Sequence, residues 1–226
     1  MNQPDHRTRV AAEKRERMKA RLIESALQVF ARKGADAAVI EDVIDLAGVS
    51  RGTFYNYYST NEDLMLAVLE SVSDDMIVII DQAIATHSDP ATRLASGVRL
   101  VLKTCCEHPL LACFFSKIGM SYSQGNSLAL RYLKRDLAAG IEAERFSVAN
   151  TEMGLMLVFG TLFAAIFNIS LDRMSTDFVD EICYHLLLAL GLPKRSARSL
   201  VAIELPSTDF SEGSLLARTQ AWVRAD

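Results

Sequence analysis

Apolar residues recur along this chain at intervals of three and four, with polar residues between them, from about residue 11 to about residue 204. Between 11 and 33, Leu22, Ala26, Val29 and Phe30 share one side of a helix while Lys and Arg occupy the rest. Gly34, directly after Arg32 and Lys33, is the expected C-terminal punctuation. A short second helix over 40–47 places Ile40, Val43, Ile44 and Ala47 together, and Gly48 ends it. Ser50 is an N-cap residue for a third helix over 51–58. Ser59 and Glu62 have capping-box spacing and open a fourth helix that runs to about 86. Breaks at Asp89-Pro90, His108-Pro109, 123–126, Asn150, Ser175 and Pro193 separate six further helices. These are expected at 90–107, 109–120, 127–145, 151–172, 176–191 and 195–204. Residues 207–214 read as a polar loop, and 215–224, with Trp222, as a last short helix. No stretch sustains the period-two alternation of a half-buried strand, so the fold class is all-α.

One segment invites a different reading. Residues 153–171 are 19 positions without a charge, close to the length of a membrane span. Thr161, Asn168 and Ser170 interrupt the run, Gly154 and Gly160 lower its helix propensity, and no Lys or Arg cluster flanks it. The segment is expected to be a central helix, buried all round, with Gly160 and Ala164 on a face another helix can approach closely. The N-terminal residues have no apolar run of the secretory type. Cys105, Cys106, Cys113 and Cys183 show no metal-type pairing and are expected reduced, in a cytoplasmic protein with no metal and no cofactor.

Composition adds mainly through its distribution. Half of the 226 residues are hydrophobic, enough for a sizeable core, and the net charge is −4. Residues 6–33 carry nine Lys or Arg against three Glu, whereas 61–226 carry 14 basic and 20 acidic side chains. A basic head on an acidic body suits a protein that meets phosphate at one end. A solvated Arg-rich helix accounts for the charge alone equally well.

The segment 47–62 decides between them. Two helices joined by Gly48, Val49 and Ser50 make a helix-turn-helix, whose second helix enters the major groove with its N-terminal residues on base edges. Here those residues are Arg51, Gly52, Thr53 and Asn56. Arg can donate twice to guanine, Asn can pair with adenine, and Thr offers a methyl to thymine. Tyr55 and Tyr57 can hold phosphate through their hydroxyls, while Phe54 and Tyr58, four apart, form the packed face.

This run, Ala-Gly-Val-Ser-Arg-Gly-Thr-Phe-Tyr-Asn-Tyr-Tyr, follows a helix ending Phe30-Ala31-Arg32-Lys33-Gly34. Together they strongly resemble the DNA-binding region of TetR-type transcriptional regulators, over about residues 15–65. The resemblance implies a DNA-binding head, residues 1–60, on a helical effector-binding and dimerisation body, residues 61–226. It implies a homodimer on double-stranded DNA, a repressor released by a small molecule, and no enzymatic activity. Three positions depart from the family pattern. Ala38 and Val39 stand where a phosphate-binding Thr or Ser is usual, Asn61 where Lys is common, and Ile44 where a small Ala is common. The basic lead, including Arg7 and Arg9, is placed to compensate on the backbone or in a minor groove.

The body offers the rest. Phe178, Ile182, Leu186 and Leu190 lie on an apolar stripe that, with helix 151–172, can pair with a second copy; internal packing is the alternative. Phe114, Phe115, Met120 and Tyr122 form an apolar cluster suited to a small, mostly apolar effector, or to plain packing. Cys105, Cys106 and Cys113 lie within three turns and raise a thiol or soft-metal sensor as an alternative, against inert buried thiols. No nucleophile–base constellation and no phosphate-cradling Gly loop is visible.

Overall fold

The computed structural model describes residues 6–33, 39–118, 128–208 and 214–215. The chain forms two compact units, Met1–Ser71 and Val72–Asp226. They meet inside a helix, later in the chain than the 60/61 boundary expected from sequence. The described residues contain no strand.

The smaller unit is built from α1 (His6–Lys33), α2 (Ile40–Ala47), α3 (Arg51–Tyr55) and the start of α4 (Asn61–Ala83). α1 begins earlier than its apolar pattern, because only its second half carries core residues. Leu22, Ala26, Leu27 and Phe30 are buried there, while Arg9 to Arg17 stand in solvent. α2 turns Val43, Ile44 and Ala47 inward. Gly48 then adopts φ 59°, ψ 45°. Its N–H bonds to the Asp45 carbonyl, and the Val49 N–H reaches back to Ile44. This is a Schellman ending, and it needs a residue that tolerates the left-handed region. Ser50 caps α3 by accepting from the Thr53 N–H at 3.1 Å.

α3 is shorter than the expected 51–58, since its hydrogen bonding gives way to turns after Tyr55. α4 is capped one residue later than expected. The Thr60 N–H donates to Asp63 Oδ2 and the Asp63 N–H to Thr60 Oγ1, both at 3.0 Å. The reciprocal pair is therefore Thr60 with Asp63, not Ser59 with Glu62.

The larger unit contains the remainder of α4 with α5 (Pro90–Glu107), α6 (Pro109–Ile118), α7 (Leu128–Glu142), α8 (Thr151–Ser170), α9 (Val179–Ala189) and α10 (Lys194–Val201). A 3₁₀ turn, Thr176–Phe178, supplies the start of the expected 176–191 helix. α5 is the axis: it packs against α6, α7, α8, α9 and α10. Asp89 caps it through the Thr92 N–H at 3.1 Å, and Pro90 fits the first turn, where a missing N–H costs nothing. The core joins Leu94, Val98 and Leu102 of α5 to Leu137 of α7, Leu155 and Val158 of α8, and Leu187 of α9.

α8 departs from expectation. Gly154, Leu155, Val158, Ala165, Ile166 and Ile169 are buried, but Met153, Met156, Gly160, Ala164 and Phe167 are exposed. A Cβ added at Gly160 would meet nothing within 4 Å. The helix is thus long and apolar enough to cross a membrane by length and composition, yet it sits as one layer of a helical body with its opposite face uncovered.

Candidate nucleic-acid interface and ligand cavity

The helix-turn-helix sorts its side chains by helical position. Phe54 is fully buried and Tyr58 nearly so, their rings 6.1 Å apart. Arg51, Gly52, Tyr55 and Asn56 are exposed, and Thr53 and Tyr57 are half-buried. Tyr55 stands edge-on to Phe54 at 5.4 Å, which holds its ring against the core while the hydroxyl end projects. Tyr57 lies under the Arg15 guanidinium at 5.8 Å, so α1 contributes a cation beside α3. Burial, reinforced by Glu16, pushes the Tyr58 hydroxyl up to about 12, and that hydroxyl has no hydrogen bond among the described residues. Arg9 is exposed and paired loosely with Glu13 at 3.8 Å. Arg7 belongs to α1, and its side chain lies outside the described residues.

Two contacts escaped the sequence. Arg51 donates to Glu41 of α2, and Lys33 of α1 donates to Asp42 at 2.7 Å. Both acidic residues sit in the first turn of α2, where they suit the helix dipole. Val39 begins that helix with no side-chain cap, consistent with its apolar side chain; Ala38 lies outside the described residues.

The larger unit holds a cavity of about 100 Å³ between α4, α5, α7 and α8. Ile77, Ile80, Ile84, Leu94, Val98, Val101, Leu133, Val158 and Leu162 form its apolar wall, with the rings of Tyr132 and Phe159. Asp81, Arg93 and Asp136 supply its polar end. Arg93 donates to Asp81 at 2.7 Å, to Asp136 at 3.2 Å and to the Ile84 carbonyl at 3.3 Å. Arg135 donates to Asp81 at 2.7 Å and to Asp136 at 2.8 Å. Two arginines and two aspartates thus form one neutral, mutually bonded set. The apolar run around Asp81 was the available sign: a charge inside a hydrophobic stripe is retained when it has partners.

The residues expected to form an effector pocket lie elsewhere than this cavity. Phe114 is fully buried and Phe115 packs on the core, and neither lines it. Met120 and Tyr122 lie outside the described residues. The expected dimer stripe also divides. Phe178 is exposed and Ile182 half-exposed, but Leu186 and Leu190 are buried within the protomer.

Three of the four cysteines are pushed toward the protonated thiol. Burial pushes the Cys105 and Cys183 thiols up to about 12, and raises Cys106 in the same direction. A thiol held protonated is a poor nucleophile and a poor metal ligand. Among the described residues no group of His, Cys, Asp or Glu is arranged to hold a metal ion.

Comparison with known proteins agrees with this architecture. A family described as "Bacterial regulatory proteins, tetR family" matches residues 22–68, and one described as "Tetracyclin repressor-like, C-terminal domain" matches residues 89–203. The HTH-type transcriptional regulator LuxR of Vibrio harveyi is 36% identical over 103 residues, 44% of this chain and 49% of that protein. The HTH-type transcriptional activator FasR of Mycolicibacterium smegmatis is 33% identical over 84 residues, 37% of this chain and 38% of FasR. The chain thus spans half or less of the length of these curated relatives. Among solved structures, RolR in complex with resorcinol superposes with a TM-score of 0.68 at 29% identity, over 88% of this chain and all of RolR. FadR from Bacillus halodurans shares the fold, with a TM-score of 0.63 at 23% identity over 77% of this chain and 99% of that one. The chain belongs to the TetR family of transcriptional regulators, an all-α family of regulatory proteins with an N-terminal helix-turn-helix.

Proposed function

We propose that this protein is a repressor that leaves a palindromic operator when a small, mostly apolar effector occupies the cavity of its larger unit. The observation that carries the reading is the exposed row Arg51, Gly52, Tyr55 and Asn56, with the half-buried Thr53 among them, presented by a helix whose opposite side is anchored through Phe54. Arg51, Thr53 and Asn56 meet base edges, Tyr55 and Tyr57 meet phosphate, and the α1 lead with Arg7 and Arg9 adds backbone contacts. In this reading residues 1–60 bind DNA, and 61–226 bind the effector and dimerise.

A short helix reads few bases, so two copies are needed, with their recognition helices about 34–36 Å apart. The uncovered face of α8 with Phe178 and Ile182 is the surface offered to the second copy. The cavity, and the small molecule in the RolR complex, support an effector in the larger unit.

The test is a mobility-shift titration on DNA flanking the protein's own gene. A retarded palindromic fragment is expected, and R51A with Y55A is expected to abolish it. Undiminished binding by that double variant sinks the assignment of α3.

A further inference from the structure

The C-terminal end of α3 has no positive charge of its own. From Gly52 to Thr92 the chain carries no Lys or Arg, and α4 opens with Glu62 and Asp63. Arg51, the one cation within α3, stands at the opposite end of that helix and is bonded to Glu41. A Tyr57 hydroxyl that meets phosphate therefore needs its cation from another element. We propose that Arg15 of α1 supplies it: the guanidinium, seated on the Tyr57 ring, binds a backbone phosphate of DNA together with the Tyr57 hydroxyl. This rests on reading α3 as the DNA-binding helix.

The contact is built from both sides. Arg15 Cζ lies 5.8 Å from the centroid of the Tyr57 ring, within the range of a cation–π contact. The next residue on α1, Glu16, acts on the neighbouring Tyr58, whose hydroxyl its charge helps to push up. Residues 15 and 16 of α1 thus both bear on residues 57 and 58.

The guanidinium stacks through its flat face, which leaves its N–H groups free at the edge. Arg15 is exposed, and among the described residues it makes no ion pair and no side-chain hydrogen bond. Other cations of the head are less available. Lys33 is bonded to Asp42 at 2.7 Å, and Arg9 is paired with Glu13. Arg9 also lies six residues before Arg15, about 9 Å farther along the helix. A guanidinium held by its face, with its donor edge unspent, suits the oxygens of one phosphate. Such a contact fixes the protein on the backbone and reads no base.

Salt titrations of the full-length protein test this, on a duplex from the flank of its own gene and on a scrambled duplex of equal length. R15Q is expected to weaken binding to both by roughly three- to tenfold, leaving their ratio unchanged. It is expected to flatten the plot of log affinity against log salt by about 0.9 for each bound copy. R15K keeps the charge and is expected to restore the slope. R17Q makes the same charge change two residues on, about 200° round the helix, and is expected to flatten the slope by less than half as much. The urea midpoint of R15Q is expected to match wild type, since the side chain is exposed.

Tyr57 enters through a double-variant cycle. In a Y57L background, R15Q is expected to cost less than half of what it costs beside the intact ring. An unchanged slope in R15Q, or equal slopes in R15Q and R17Q, would overturn the phosphate contact. A lower ratio between the two duplexes in R15Q would make Arg15 a reader of bases instead, and an equal cost in both backgrounds would remove Tyr57 as its platform. Each of these results leaves a DNA-binding α3 in place. Failure of the wild type to bind either duplex removes that reading of α3, and this inference with it.

Discussion

The Arg51 guanidinium, at the first position of α3, is held by Glu41 of the preceding helix. Both side chains are more than half exposed, so the pair contributes on the order of 0–1 kcal/mol and opens at little cost. Glu41 nonetheless places a negative charge beside the surface proposed to meet phosphate. E41Q is expected to tighten operator binding by roughly two- to tenfold and to steepen its salt dependence. Titrations at several salt concentrations check this, and weaker binding by E41Q would instead make Glu41 an aid to positioning Arg51.

The turn before that helix makes a sharper demand. Gly48 is in the left-handed region, and an added Cβ would stand 3.0 Å from Arg21 Nη2. The guanidinium end can move, but the backbone cannot relax. G48A is expected to cost about 1–2 kcal/mol, read as a lower urea midpoint with loss of operator binding.

The fourth helix separates two neighbouring caps. T60A removes the acceptor of the Asp63 N–H and is expected to cost about 1 kcal/mol. S59A touches no such bond and is expected to stay within about 0.5 kcal/mol of wild type. Equal effects would return the cap to the register read from sequence.

How far the sequence was legible follows from where its signals are local. Gly48 and Ser50 punctuate the turn through their own backbone chemistry, and α2 and α5 fall at their expected bounds for the same reason. The cap at α4 failed because Ser59-Thr60-Asn61-Glu62-Asp63 holds two overlapping capping patterns, and spacing alone does not choose between them. The cavity between α4, α5, α7 and α8 was not legible in the sequence for a different reason. Phe114 and Phe115 make a conspicuous apolar cluster in the sequence, but bulk fills space and does not leave it. The opening arises where four helices meet around Gly97, Ala129 and a bonded set of charges, and that set draws Asp81, Arg93 and the Arg135–Asp136 pair from three separate helices.

Stability on the acid side should depend on Asp89. Burial alone would raise its carboxyl, but hydrogen bonds from Arg145 and Thr92 outweigh this and hold it below the usual carboxylate range. Its folded pKa lies below the unfolded value of about 3.9, so its stabilisation is present above that value. It is lost as pH falls through the folded pKa. The urea midpoint is expected to fall below about pH 4, and R145M is expected to lower the neutral-pH midpoint and flatten that fall. A midpoint in R145M that tracks wild type at every pH would remove the pair from the account.

Met156 tests the second copy. It is 70% exposed on α8, so M156E leaves the protomer core untouched. Sedimentation is expected to show a monomer, with operator affinity reduced by at least tenfold because each half-site must then bind alone.

The uncovered face of α8 also bears on how much of this protein a cell can tolerate. Gly160 and Ala164 leave a flat strip between the exposed Met153, Met156 and Phe167, on a helix with a mean hydropathy of 1.9. Under the pairing proposed above, a newly made chain carries that strip until it meets another, so scarcity would expose it and abundance hide it. Dosage, then, sets not only how fully the operator is occupied but also how long each new copy remains a target for chaperones and proteases.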